Sequence, residues 1–193
     1  MLEVGRAAQM ETPAQYAALC RAWPLLCGGR NGFRKGGDMP LEKLEKHELF
    51  GLLSPKEIAR LGAASGVMNF KEGDRVCSEG MPASHLFILL KGRVELNRPT
   101  KGGPSFLVDD LTPGNIFGVS SLVGKDRYLL NAECVDDSEV LKIEGKALRQ
   151  ILDENPQVGY AMQRRISQIF YKRYVDAMER LQTVIQAIPL GRP

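Results

Sequence analysis

From Gly66 the hydrophobic period of this chain is two, and it stays two as far as Ile143. The runs VMNF, DRVCSEG, SHLFILLKGRVELNR, SFLVDDL, GNIFG, LLNAECV and SEVLKI read as short strands. Turn signals separate them: EGD at 72–74, EGMPAS at 79–84, KG at 91–92, PTKGGP at 99–104 and TPG at 112–114. No stretch between the runs is long enough for the helix that a parallel crossover needs, which argues against a parallel α/β sheet. Many short strands at this spacing close into a roll or jelly roll.

Helical spacing brackets the strands. In MPLEKLEKHELFGLLSPKEIARLGAAS two short helices are expected, with Leu41, Leu44, Leu49 and Phe50 on one apolar face. Ser54, Pro55 and Glu57 start the second: a capping residue, proline at the first helical position and acid in the first turn. Ile58, Leu61 and Ala64 should face inward. After Glu144 helix returns, and Pro156 divides it into a short helix and a long one. In the long helix Tyr174, Met178, Leu181, Ile185 and Ile188 step by four, three, four and three, the a/d seam of a short coiled coil. A homodimer through this helix is expected. Arg164, Arg165, Lys172 and Arg173 are read as a solvated basic face.

The fold expected is therefore α+β: an antiparallel β-roll (double-stranded β-helix or jelly roll) flanked by N-terminal helices and a long C-terminal helix. Residues 1–38 read as a flexible N-terminal arm, because CGGRNGFRKGGD carries little apolar surface to bury. Residues 39–154 are the roll with its leading helices, and 155–193 the long helix. A net charge of +3 is too small to argue for nucleic acid, and no apolar run approaches a membrane span. The start of the chain lacks an export signal, so a cytoplasmic protein with reduced thiols is expected. Cys77 and Cys134 stand alone as core thiols; Cys20 and Cys27 fall in the arm.

Catalytic patterns fail one by one. Gly118 to Lys125 imitates a nucleotide P-loop, but five residues separate its glycines and Asp126 stands where Ser or Thr must hold magnesium. The two histidines, His47 and His85, form no metal-ligand pair, and His85 is read as a rim residue at a strand start. No nucleophile–base pair can be assembled, so no enzyme is expected.

The order of elements, with FKEGDRVCSEGMPASHLFILLKGRVEL (70–96), LTPGNIFGVSSLVG and ECVDDSEVLKI, resembles the cyclic nucleotide-binding domain of the catabolite activator protein and of the protein kinase A regulatory subunits. Gly73, Gly80, Gly92, Gly114 and Gly118 fall on turn positions of that pattern. The resemblance implies a phosphate-binding cassette across Phe117–Leu130. In it a glycine turn aims backbone N–H groups at an anion, an arginine neutralises the phosphate, and a glutamate accepts from the ribose hydroxyl.

This sequence departs from that cassette. The glutamate position is Val119, the arginine position is Tyr128, and the next two positions, small in the family, are Leu129 and Leu130. Arg127 is one residue off, and strand alternation points it to the opposite face. The ligand-binding set read from the resemblance is Phe117, Gly118, Val119, Ser120, Ser121, Arg127, Tyr128, Leu129 and Leu130, with Ser120 and Ser121 as extra donors. Leu129 and Leu130 are expected to crowd the phosphate seat. The ligand is a cyclic nucleotide held weakly, or another small anion. Two function classes stand open: a dimeric sensor that moves its long helix, and an interaction module with a degenerate pocket and an effector protein as partner. A DNA-reading helix-turn-helix has no room after the long helix, so no direct DNA binding is expected.

Overall fold

The computed structural model describes residues 34–35, 39–100 and 103–187. Two short helices come first, α1 (Met39–Lys46) and α2 (Pro55–Ala63). Helix α2 starts where its residues dictate. The Ser54 side chain accepts from the Glu57 N–H, and the Glu57 carboxylate accepts from the Ser54 N–H at 2.7 Å.

The strands form two antiparallel sheets. The first runs β1 (Arg34–Lys35), β2 (Ser65–Phe70), β9 (Ser138–Glu144), β4 (His85–Lys91) and β7 (Ile116–Phe117). The second runs β3 (Arg75–Cys77), β8 (Asn131–Cys134), β5 (Val94–Thr100) and β6 (Gly103–Leu111). Arg34 lies opposite Val67, so two residues of the N-terminal arm extend the first sheet. The rest of the arm, with Cys20 and Cys27, lies outside the described residues.

The first sheet is covered on both faces. On β4, Phe87 and Leu89 point between the sheets with Met68, Val76, Val94, Leu111, Phe117 and Val140. Leu86 and Ile88 point the other way, against Leu44, Phe50, Ile58 and Leu61 of the leading helical segment. Two-sided burial explains why HLFILL is continuously apolar rather than alternating. Cys77 and Cys134 are both buried in the inter-sheet core. Burial pushes the Cys134 thiol up to about 11.

Helix α3 (Gly145–Glu154) and helix α4 (Pro156–Ala187) meet at Asn155. Met162 and Ile166 of α4 are core. Beyond them the same helix bares Tyr174, Met178, Leu181 and Ile185, which are 62%, 45%, 48% and 51% exposed. Ile188, the last residue of the expected seam, lies outside the described residues. No helix of the described residues is long and apolar enough to cross a membrane.

Candidate functional site

One cleft gathers most of the expected ligand residues. It lies between the roll and α4 and holds about 150 Å³. Phe117, Gly118, Val119, Ser120, Tyr128, Leu129 and Leu130 line it, together with Cys77, Leu96, Phe170 and Arg173.

The floor is the turn after β7. Gly118 has φ 73°, a left-handed conformation that side chains rarely adopt. A Cβ there would also come within 2.9 Å of the His85 carbonyl oxygen. A single 3₁₀ turn follows at Val119–Ser121, closed by the Ser121 N–H to the Gly118 carbonyl and the Leu122 N–H to the Val119 carbonyl. Ser121 does not line the cleft. Its hydroxyl is fully buried and donates to the Gly118 carbonyl at 3.0 Å.

Tyr128 occupies the arginine position and is 2% exposed. Its phenol donates to the His85 carbonyl at 2.8 Å and accepts from the His85 N–H at 3.0 Å. Its ring lies 6.1 Å from Phe87. The segment around it is pinned to the loop before β4: Gly80 N–H donates to the Tyr128 carbonyl, and Tyr128 N–H donates to the Met81 carbonyl. With residue 128 turned in, its neighbours turn out. Arg127 is exposed and donates to the Gly80 carbonyl at 2.6 Å, away from the cleft. Leu129 was expected to crowd the seat; it forms part of the rim instead, 62% exposed.

His85 opens β4, the strand start expected for it. It is half-buried, and burial, with the Lys142 charge adding to it, holds the imidazole down to about 3. The ring is therefore neutral at ordinary pH. Its Nδ1 lies 2.7 Å from the Ser84 hydroxyl.

The opposite wall is helical, and the basic stretch of α4 is not a uniformly solvated face. Arg165 donates to the Glu48 carbonyl. The Arg173 side chain is only 17% exposed, and its Nε forms an ion pair with Asp109 Oδ2 at 3.2 Å. Asp109 also lies 3.8 Å from Arg180 Nη2. The Arg173 guanidinium sits 5.6 Å from the centre of the Phe170 ring. Its Nη2 is buried without a hydrogen-bond partner among the described residues. Desolvation lowers the pKa of this guanidinium, and Asp109 opposes the shift.

Arg173 carried a signal in the sequence. The core stripe Met162, Ile166, Ile169 steps by four and three, and the next step of four lands on Arg173. A cation on an apolar stripe is costly unless it has a partner. Among the described residues no cluster of His, Cys, Asp and Glu could hold a metal ion.

Comparisons with known proteins agree with this architecture. Residues 67–155 match the family described as the cyclic nucleotide-binding domain. The chain is 25% identical over 118 residues to a CRP-like cAMP-activated global transcriptional regulator of Mycobacterium tuberculosis, covering 61% of this chain and 53% of that one. It is 31% identical over 103 residues to a global nitrogen regulator of Nostoc, covering 52% of this chain and 46% of that one. The chain thus spans about half the length of these curated relatives. Its fold is similar to the sensor domain of the transcriptional regulator DNR from Pseudomonas aeruginosa, with TM-score 0.63 and 24% identity over 81% of this chain and 100% of that one. The strand order and the turn glycines of the roll agree with this match to the cyclic nucleotide-binding domain over residues 67–155.

Proposed function

We propose that this chain is a non-catalytic sensory module whose cassette has lost its selectivity for cyclic AMP and cyclic GMP. It holds them weakly or takes another small ligand, and it works as a dimer in the cytoplasm. The observation that carries the reading is Tyr128. The position that the family resemblance assigns to the phosphate-binding arginine is filled by a phenol whose hydroxyl is committed to the His85 backbone on both sides. Val119 is packed into the core beneath the helices and offers a ribose hydroxyl nothing. Losing two charge-assisted hydrogen bonds of about 1.5–3 kcal/mol each weakens binding roughly a hundredfold or more.

Calorimetry with cyclic AMP and cyclic GMP tests this. Weak or absent heats are expected, and submicromolar binding of either nucleotide would overturn the reading.

The dimer is supported by the apolar stripe on the outer half of α4. Tyr174, Met178, Leu181 and Ile185 follow coiled-coil spacing yet are left bare by the roll. Replacing Leu181 and Ile185 together by Asp should give monomers in sedimentation, with the melting transition of the roll retained. Dimers that persist would place the interface elsewhere.

The second reading, an interaction module with a degenerate pocket and an effector protein as partner, draws on the further exposed aromatics Tyr160 and Tyr171. It is disfavoured by the cleft, which the large residues at 128–130 leave open.

A further inference from the structure

We infer that the anion-recognising cation of this module is Arg173, on the long helix, and that its ligand is a small organic carboxylate bridging the roll and α4. The inference deepens the proposed reading and rests on its claim that the cassette no longer selects a cyclic nucleotide.

Three observations converge on it. The first is charge. Arg173 and Arg180 both face Asp109, so two guanidinium groups share one carboxylate. Asp110, next to Asp109 in the chain, is engaged elsewhere, paired through both oxygens with Arg93. The second is hydrogen bonding. Arg173 spends its Nε on Asp109, while its Nη2 is buried and unpartnered among the described residues. Such a group is expensive to leave unmet, and a ligand that supplies an acceptor removes the penalty. The third is shape. Arg173 lines the same cleft as Phe117, Gly118, Ser120 and Tyr128, and that cleft holds only about 150 Å³. Sites for drug-sized ligands occupy about 300–1,000 Å³, so this one fits a molecule of a few heavy atoms.

The charge count selects among small anions. One excess positive charge matches a carboxylate monoanion. A phosphomonoester carries close to two negative charges near neutral pH and would bring unpaired charge into a partly buried site. A carboxylate is also planar, and a guanidinium edge meets it with well-aligned N–H groups. Phe117, Leu96, Leu130 and Phe170 supply apolar surface for a short carbon body.

The test is thermal shift and calorimetry on the full chain in an anion-poor buffer, with acetate, butyrate, succinate, inorganic phosphate and cyclic AMP as probes. Butyrate or succinate should raise the melting temperature, since a ligand that binds only the folded state stabilises it. Arg173→Met should weaken that binding at least tenfold, and Asp109→Asn, which frees the guanidinium, should strengthen it severalfold. Carboxylate binding that is unchanged in Arg173→Met would overturn the inference and leave the proposed function standing. So would a response to phosphate alone, or no response to any carboxylate in both the native chain and Asp109→Asn. Tight cyclic AMP binding that survives Arg173→Met would overturn the inference and the proposed function together.

Discussion

The two walls of the cleft treat their polar groups in opposite ways. On the roll side each named polar side chain beneath the surface has closed its hydrogen bonds at home: Tyr128 on both sides of the His85 backbone, Ser121 on the Gly118 carbonyl. On the helix side Arg173 has an anchored end and an unmet one. Both are tucked beneath the surface, so solvation does not explain the difference. A satisfied buried network adds rigidity, while an unsatisfied buried donor costs stability and keeps capacity for a partner. The roll wall is built to hold still, and the helix wall to bind.

The contrast can be broken by experiment, beginning with the largest effect. His85 anchors the roll wall and is held neutral, with a pKa of about 3 against an ordinary value of 6.5. Its contribution to stability is complete above pH 6.5 and is lost as pH falls toward 3, because the unfolded chain takes up the proton first. This one group should steepen the loss of stability by about 1.4 kcal/mol per pH unit in that window. In denaturant titrations between pH 7 and 4, His85→Gln should flatten the profile by that amount. An unchanged slope would show that the roll wall does not depend on a neutral imidazole.

Next in size is Tyr128→Phe. It strips two hydrogen bonds from the His85 backbone and should cost about 1–3 kcal/mol in chemical denaturation. The smallest effect belongs to the helix wall. Arg173→Met exchanges a buried cation for an apolar side chain of similar reach, and Asp109 keeps Arg180 nearby. Stability should change by less than about 1 kcal/mol in either direction. If Arg173→Met proves costlier than Tyr128→Phe, the two walls are alike and the contrast fails.

Much of the fold was legible from residues alone. The period of two from Gly66 marks strands, and Gly73, Gly80, Gly92, Gly114 and Gly118 all adopt the positive φ that their turns require. The Ser54–Glu57 cap, the break at Pro156 and the burial of Cys77 and Cys134 also agree with expectation. The cleft was legible in composition but not in direction. Loss of the arginine at 128 could be read from the sequence, whereas the inward turn of Tyr128 and the outward turn of Leu129 are set by hydrogen bonds to Gly80 and Met81, nearly fifty residues earlier in the chain. Arg173 was read as solvated because local charge density suggested it. The packing of α4 against the roll and the ion pair to Asp109 on β6 decide otherwise, and both are long-range facts.

The elbow between α3 and α4 gives the long helix a mechanical role. Helix α4 has 32 residues, so at 1.5 Å per residue it is a rod about 48 Å long. It meets α3 at Asn155, and Arg173 lies little more than halfway along it. Were the rod to tilt about Asn155, its far end near Ala187 would travel nearly twice as far as the guanidinium, by the same helical rise. A shift of about 1 Å at the cleft would then become about 1.7 Å at Ile185, on the order of the helix translations that switch subunit interfaces. The rod also sets the sign of the motion. An anion that drew Arg173 toward the roll would swing the Tyr174–Ile185 stripe in the same sense, so in the proposed dimer one small ligand would reset the angle at which two such rods meet.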